Sequence, residues 1–217
     1  VAMLEVDGLQ IQRGAFRLDA DFTLQTGARV AVIGPSGGGK STLLGALTGF
    51  VDVAGGTLRM SGTDITNANP DERGIAMLFQ DGNLFPHLTL AQNVGLGLRP
   101  TLRLTTDEAE RVHAALARGG LAGFEERKPG DVSGGQQSRA ALARVLAQAK
   151  PLILLDDPFA ALGPALRVEM LDLTSEVARD AGATVMMITH APQAAERAAD
   201  QVVFVDDGRA HAPRPVA

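Results

Sequence analysis

The 217-residue chain contains no cysteine, no tryptophan and no tyrosine. Without cysteine, disulfides and thiolate metal sites are excluded, which fits a reducing compartment. Eight phenylalanines supply all the aromatics, and of the 20 lysines and arginines only Lys40, Lys128 and Lys150 are lysine. Basic excess is also lacking: the formal net charge is −5, which weighs against broad nucleic-acid binding. No apolar run approaches the roughly 18–20 residues that cross a bilayer. The nearest stretch, Leu43 to Val51, is interrupted by Gly45, Thr48 and Gly49. No basic start followed by an apolar run suggests a signal peptide. What remains is ordinary: 45% hydrophobic and 21% charged residues exclude wholesale disorder and suit one compact domain, alone or with a small lobe.

No internal repeat or low-complexity tract appears. The first thirty residues alternate loosely, as in Leu4-Glu5-Val6 and Phe22-Thr23-Leu24, and predict antiparallel strands. Short apolar runs at Arg29–Ile33, Ile75–Phe79, Leu152–Leu155 and Ala183–Ile188 read as strands buried on both faces. Helices are expected over 40–48, 133–149, from Pro164 to about 181, and over 192–198, with a late strand at 202–205 turned by Asp207-Gly208. Between about 84 and 130 the texture changes. Thr105 with Glu108 forms a capping-box pattern, and Val112 and Leu116 fall on one helical stripe. This segment reads as a helical lobe inserted in an α/β core. The tail from His211 carries two prolines and is expected to be loose.

Gly34-Pro35-Ser36-Gly37-Gly38-Gly39-Lys40-Ser41-Thr42 fits a phosphate-binding loop between a buried strand and a helix. Glycines let backbone N–H groups wrap a phosphate chain without Cβ clashes. Lys40 adds charge for the β- and γ-phosphates, Ser41 a hydroxyl for Mg²⁺, and the helix N-terminus faces the anion. The loop alone does not separate kinases, GTPases and ATPases. Asp156-Asp157-Pro158 follows the buried strand at 152–155. Carboxylates there point into the crevice where α/β sheets bind ligands. Asp156 is placed to support Mg²⁺ and Asp157 to orient or deprotonate an attacking water; a plain acidic turn is the bland alternative.

Val132-Ser133-Gly134-Gly135-Gln136 precedes the helix that leads to this acidic strand. With the phosphate loop, it resembles the ATP-binding cassette family, whose signature LSGGQ is matched except for Val132. The resemblance implies a P-loop NTPase core: α/β, with a mostly parallel sheet, an N-terminal antiparallel β portion and an inserted helical subdomain. It implies a single ATPase domain over 1–217 without a C-terminal regulatory domain. It also implies a head-to-tail dimer in which Ser133, Gly134, Gly135 and Gln136 of one copy cap the γ-phosphate held by the other. Ser133 can equally cap its own helix, and the two roles are compatible. By the same resemblance, Gln80 touches Mg²⁺ and the attacking water, and His190 contacts the γ-phosphate. The loops at 77–80, 83–89 and 91–98 and Pro164-Ala165-Leu166-Arg167 resemble those of ATPase subunits of bacterial thiamine importers. Such subunits work at the cytoplasmic face of the inner membrane with transmembrane permease subunits and an external solute-binding protein, and not with nucleic acid. The segment 81–94 is the candidate permease surface, although Phe85, Leu88 and Leu90 could equally be core.

The chain departs from the family at four places. Asp157 stands where a glutamate is usual, leaving its carboxylate about 1.5 Å short. Gly163 replaces an aspartate that couples the two sites of the dimer. Arg13, or else Phe16, takes the place of the aromatic residue that stacks on adenine; a guanidinium can do so too. Ser138 replaces a longer polar side chain. The first two departures imply slow hydrolysis. A nucleotide-gated switch with feeble hydrolysis is therefore the second reading; a DNA-repair or ribosomal ATPase and a P-loop kinase fit less well.

Overall fold

The computed structural model describes residues 1–216. In chain order its elements are β1 (Ala2–Arg13), β2 (Phe16–Gln25), β3 (Arg29–Ile33), α1 (Lys40–Thr48), β4 (Gly55–Met60), β5 (Thr63–Asp64), β6 (Ile75–Leu78), α2 (Leu90–Gly95), α3 (Thr106–Arg118), α4 (Gly134–Ala147), β7 (Leu152–Asp156), α5 (Pro164–Asp180), β8 (Thr184–Ile188), α6 (Pro192–Ala198), β9 (Gln201–Asp206), β10 (Arg209–Ala210) and β11 (Arg214–Pro215). Two compact units result. One comprises 1–77, 151–157 and 178 onward; the other comprises 78–150 and 158–177.

In the first unit, β1 pairs antiparallel with β2 and β4, while β3, β7, β8 and β9 run parallel. Leu4 and Val6, then Leu9 and Ile11, face the core. The register shifts between Val6 and Leu9, a bulge that explains why the sequence alternates only loosely there. Val30, Val32, Leu152, Leu154, Met186 and Ile188 are buried, as strands covered on both faces require. The tail is not loose. β11 pairs antiparallel with β9, and the Val216 amide donates to the Asp200 carbonyl. Proline suits this edge position, where no ladder donor is needed.

Arg29, at the start of β3, donates from Nε to Asp200 Oδ2 at 3.1 Å, and its Nη2 engages the other carboxylate oxygen. The Arg29 hydrogen bond holds the Asp200 carboxyl below its usual range. A depressed carboxyl pKa stabilises the fold above the unfolded value, and that gain is lost as pH falls through the folded value. Asp200→Asn is expected to lower Tm at neutral pH by about 2–3 °C, since a half-exposed pair is worth at most about 1 kcal/mol. In melts the gap between wild type and variant should begin to narrow as pH falls below the ordinary aspartate value, near 4, and close only below the lowered folded value.

The second unit is helical. Leu90, Val94, Val112, Ala115 and Leu116 pack against Ala140, Ala143 and Ala147 of α4. The expected segment 84–130 lies inside this unit, which continues through α4 because the alanine face of that helix closes its core. Thr105 and Glu108 form the capping box, with the Thr105 amide donating to Glu108 Oε2 at 2.8 Å. That bond, with Arg99, holds the Glu108 carboxyl below its usual range. Among the described residues no helix is long and apolar enough to cross a membrane.

Candidate active site

The phosphate loop leaves β3 at Ile33 and enters α1 at Lys40. Its glycines answer to close neighbours. A Cβ on Gly34 would lie 1.9 Å from the Val205 carbonyl oxygen, and one on Gly39 would lie 2.7 Å from the Phe16 ring. Both residues have positive φ, 151° and 102°. Lys40 is buried, and its ammonium donates to the Gly34 and Pro35 carbonyls at 2.9 and 2.8 Å. Burial lowers its pKa; Asp156 and Asp157 pull the other way. At the far end of α1, Arg73 donates to the Ala46 and Leu47 carbonyls and to Ala68 and Thr66. A cation there complements the helix dipole whose positive end faces the loop.

Burial pushes the Asp156 carboxyl above the ordinary aspartate range, with the Ser41 hydroxyl nearby pulling the other way. Asp157 follows at φ 42°, a left-handed conformation that Asp adopts more readily than most residues. Its amide donates to the Ile188 carbonyl at 3.1 Å, and its carboxylate lies 4.0 Å from His190 Nε2. A cavity of about 750 Å³ is lined by Arg13, Gly14, Phe16, Ser36, Gly37, Gly39, Lys40, Ser41, Thr42 and His190. Arg13 and Phe16 face each other across the β1–β2 hairpin, so both candidates for the base platform reach this cavity. They are not equivalent, since the Phe16 ring is already packed on Gly39.

The remaining sequence-derived residues belong to the second unit. Ser133 Oγ accepts from the Gln136 amide at 3.3 Å, and Gln136 Oε1 accepts from the Ser133 amide at 2.9 Å. The signature segment thus caps its own helix, and Val132 packs against the unit's core where the family has leucine. Gln80 and Gly134 line one cavity of about 710 Å³, together with Asp81, Gln137 and Ala141. Leu90 is fully buried, whereas Phe85 is 46% exposed. Sequence reasoning passed over Asn93. This fully buried side chain accepts from the Phe85 amide at 2.7 Å and donates to the Phe85, Leu88 and Thr89 carbonyls. A polar residue on the apolar stripe of α2 was the available signal.

The profile of the ABC transporter family matches residues 18–160. The Thiamine import ATP-binding protein ThiQ of Cereibacter sphaeroides is 57% identical over 99% of this chain and 93% of its own length. The proteins of the same name from Ruegeria sp. and Jannaschia sp. are 52% and 48% identical, over 98% and 99% of this chain and 92% and 94% of their own lengths. A dimeric ATP-binding cassette in a post-hydrolysis state with ADP and Pi superposes with a TM-score of 0.82 at 28% identity, covering 99% of each chain. A cassette of an ABC transporter in its ADP conformation reaches 0.90 over 100% of this chain and 92% of its own; at 24% identity this likeness shows the fold alone. With a family match over most of its length and relatives at this identity end to end, the chain belongs to the ABC transporter family.

Proposed function

We propose that this chain is the ATP-hydrolysing subunit of a bacterial importer for thiamine or its phosphates. The observation that carries the ATPase reading is the cavity that joins Lys40, Ser41 and His190 with Arg13. The substrate class comes from the relatives, which carry thiamine import in their names over nearly the whole chain.

Loop amides of 36–39 hold the phosphates, and the Lys40 ammonium, preset by two carbonyls, turns to the β- and γ-phosphates. Ser41 and Asp156 offer a hydroxyl and a carboxylate close to each other, hard oxygen donors that fit Mg²⁺. Among the described residues no cluster of three His, Asp or Glu forms a dedicated metal cage. This suits an ion held by one or two protein oxygens plus substrate phosphates. When bound there, Mg²⁺ would neutralise charge developing on the phosphates during transfer. Asp157 orients a water and takes its proton as the water oxygen bonds to the γ-phosphorus. The bond to the bridging oxygen then breaks, releasing ADP and phosphate. His190 contacts the γ-phosphate. Gln80 is assigned to Mg²⁺ and the attacking water on the family resemblance alone. Ser133, Gly134, Gly135 and Gln136 serve a second copy, packed head to tail.

ATP closes that dimer and hydrolysis reopens it, a population shift that permease subunits at the inner face of the plasma membrane convert into transport. The loop organised by Asn93 is the surface offered to them, and an external binding protein delivers the solute. Purification with the permease, followed by ATPase assays with candidate solutes, tests this reading: thiamine or its phosphates should stimulate turnover. Stimulation by a different solute alone would remove the thiamine assignment. Failure of ATP turnover with ATP-dependent dimerisation intact would favour the switch reading, which Asp157 and Gly163 motivate.

Arg13 is the base platform in this reading, because Phe16 is occupied by the phosphate loop. Arg13→Ala is expected to weaken ATP binding roughly fivefold, about 1 kcal/mol of lost stacking. Affinity for inorganic tripolyphosphate, measured by competition, should be unchanged.

A further inference from the structure

Among the described residues, the cation on α4 nearest its C-terminal end makes no ion pair. Arg144 donates from Nη1 to the Asn83 carbonyl at 2.8 Å and from Nη2 to the Gly82 carbonyl at 2.6 Å. Both bonds go to backbone. Burial lowers its pKa, with no carboxylate offsetting that effect. An arginine kept partly buried with only backbone acceptors costs desolvation, so its geometry, more than its charge, explains its place.

The acceptors belong to a tight turn. The Gly82 amide donates to the Phe79 carbonyl at 2.9 Å, which makes Gln80 and Asp81 the two central residues. Gly82 and Asn83 both have positive φ, 64° and 45°. Glycine and asparagine are the residues that adopt this conformation most readily, which suits them to so tight a turn. Arg144 grips the carbonyls of these two residues. Ala141, one turn earlier on α4, lies so close that a Cβ on Gly82 would sit 3.3 Å from its own Cβ. The stem of Arg144 is wedged in turn, since a Cβ on Gly97 would lie 3.1 Å from its Cγ. Gly134, Gln137, Ser138 and Ala141 present one face of α4 to the same cavity as Gln80. Arg144 lies eleven residues beyond Ser133, about 16 Å along the helix and about three full turns on.

We infer that Arg144 is a positioning residue for Gln80. It locks the Phe79–Gly82 turn onto α4, so that the turn and the signature segment at the other end of that helix move as one body. A shift of the signature segment towards a second copy would then carry Gln80 with it. This rests on the proposed role of Gln80 in hydrolysis.

The test is steady-state ATPase of the full chain as wild type, Arg144→Met, Arg144→Lys, Gln80→Ala and the double variant Arg144→Met/Gln80→Ala. Arg144→Met should lower kcat about 10- to 100-fold with KM for MgATP changed less than about threefold, because a misplacement near 1 Å is enough for such a loss. Arg144→Lys, which keeps charge but lacks the fixed planar fork of the guanidinium, should recover only part of the rate and serves if the methionine variant melts. The double variant should be no slower than Gln80→Ala, since Arg144 acts through Gln80. Additive losses, or kcat and KM deteriorating together, would mean general support of the fold and overturn the inference. Wild-type kcat in both Arg144 variants, with Gln80→Ala slow, overturns it too. Wild-type kcat in Gln80→Ala instead removes the role of Gln80, and the inference with it.

Discussion

Lys40→Ala is expected to weaken ATP binding by about 10²–10³-fold, the largest loss of nucleotide affinity expected from any substitution proposed for this chain. Charge-assisted hydrogen bonds contribute about 1.5–3 kcal/mol each, and the ammonium serves two phosphates. The position is demanding for a second reason. Lys40 is 5% exposed and holds the carbonyls of Gly34 and Pro35. Its loss leaves those acceptors without their donor and loosens the loop that presents its amides. Lys40→Arg should rescue little, because the broad guanidinium does not fit where a compact ammonium sits between two carbonyls. The chain has no tryptophan, so a fluorescent ATP analogue gives a clean equilibrium readout. An unchanged Kd for Lys40→Ala would refute the phosphate-loop assignment.

The second large effect lies at Asp157. Asp157→Asn should lower kcat by about 10²–10⁴-fold with KM little changed, the range lost with a general base. Asp157→Glu should do the opposite. One methylene carries the carboxylate about 1.5 Å further, and recovering a misplacement of that size is expected to raise kcat on the order of 10-fold. The left-handed backbone at this residue suits aspartate better than glutamate. A small loss of thermal stability should therefore accompany the faster rate. Gly163→Asp is the companion variant. A Cβ at Gly163 meets nothing within 4 Å, and the residue directly precedes α5, so aspartate fits there and can cap the helix. Steady-state ATPase decides the matter: if neither Asp157→Glu nor Gly163→Asp raises turnover, the reading of an enzyme slowed by these two residues is wrong.

Particular elements show why some of this could be read in advance. The helix from Lys40 to Thr48 and the helix from Pro192 to Ala198 follow from local signals, a glycine before one and a proline at the start of the other. The capping box at Thr105 is likewise a property of four consecutive residues. The tail could not be read this way. Its prolines suggest a loose end, yet β11 finds an open edge on β9, and only the partner strand supplies that information. Arg144 and Asn93 were equally opaque. Each satisfies backbone carbonyls of a loop distant in the sequence or beyond the next turn, and no spacing rule announces such partners.

By itself the sequence carried the patterns on which the proposed chemistry rests: the phosphate loop and the paired aspartates are legible from residue type and spacing, whereas the roles of the signature and His190 were implied only by the family resemblance. Tertiary structure decided which of them meet. It brought Asp157 to within 4.0 Å of His190, placed Ser41 near Asp156, packed the Phe16 ring against Gly39 and left Arg13 beside the cavity. The physical reason is that strand order is set by burial and pairing between segments far apart in the chain. β3, β7 and β8 become neighbours because their apolar faces share one core, and the residues at their ends then have no choice but to converge.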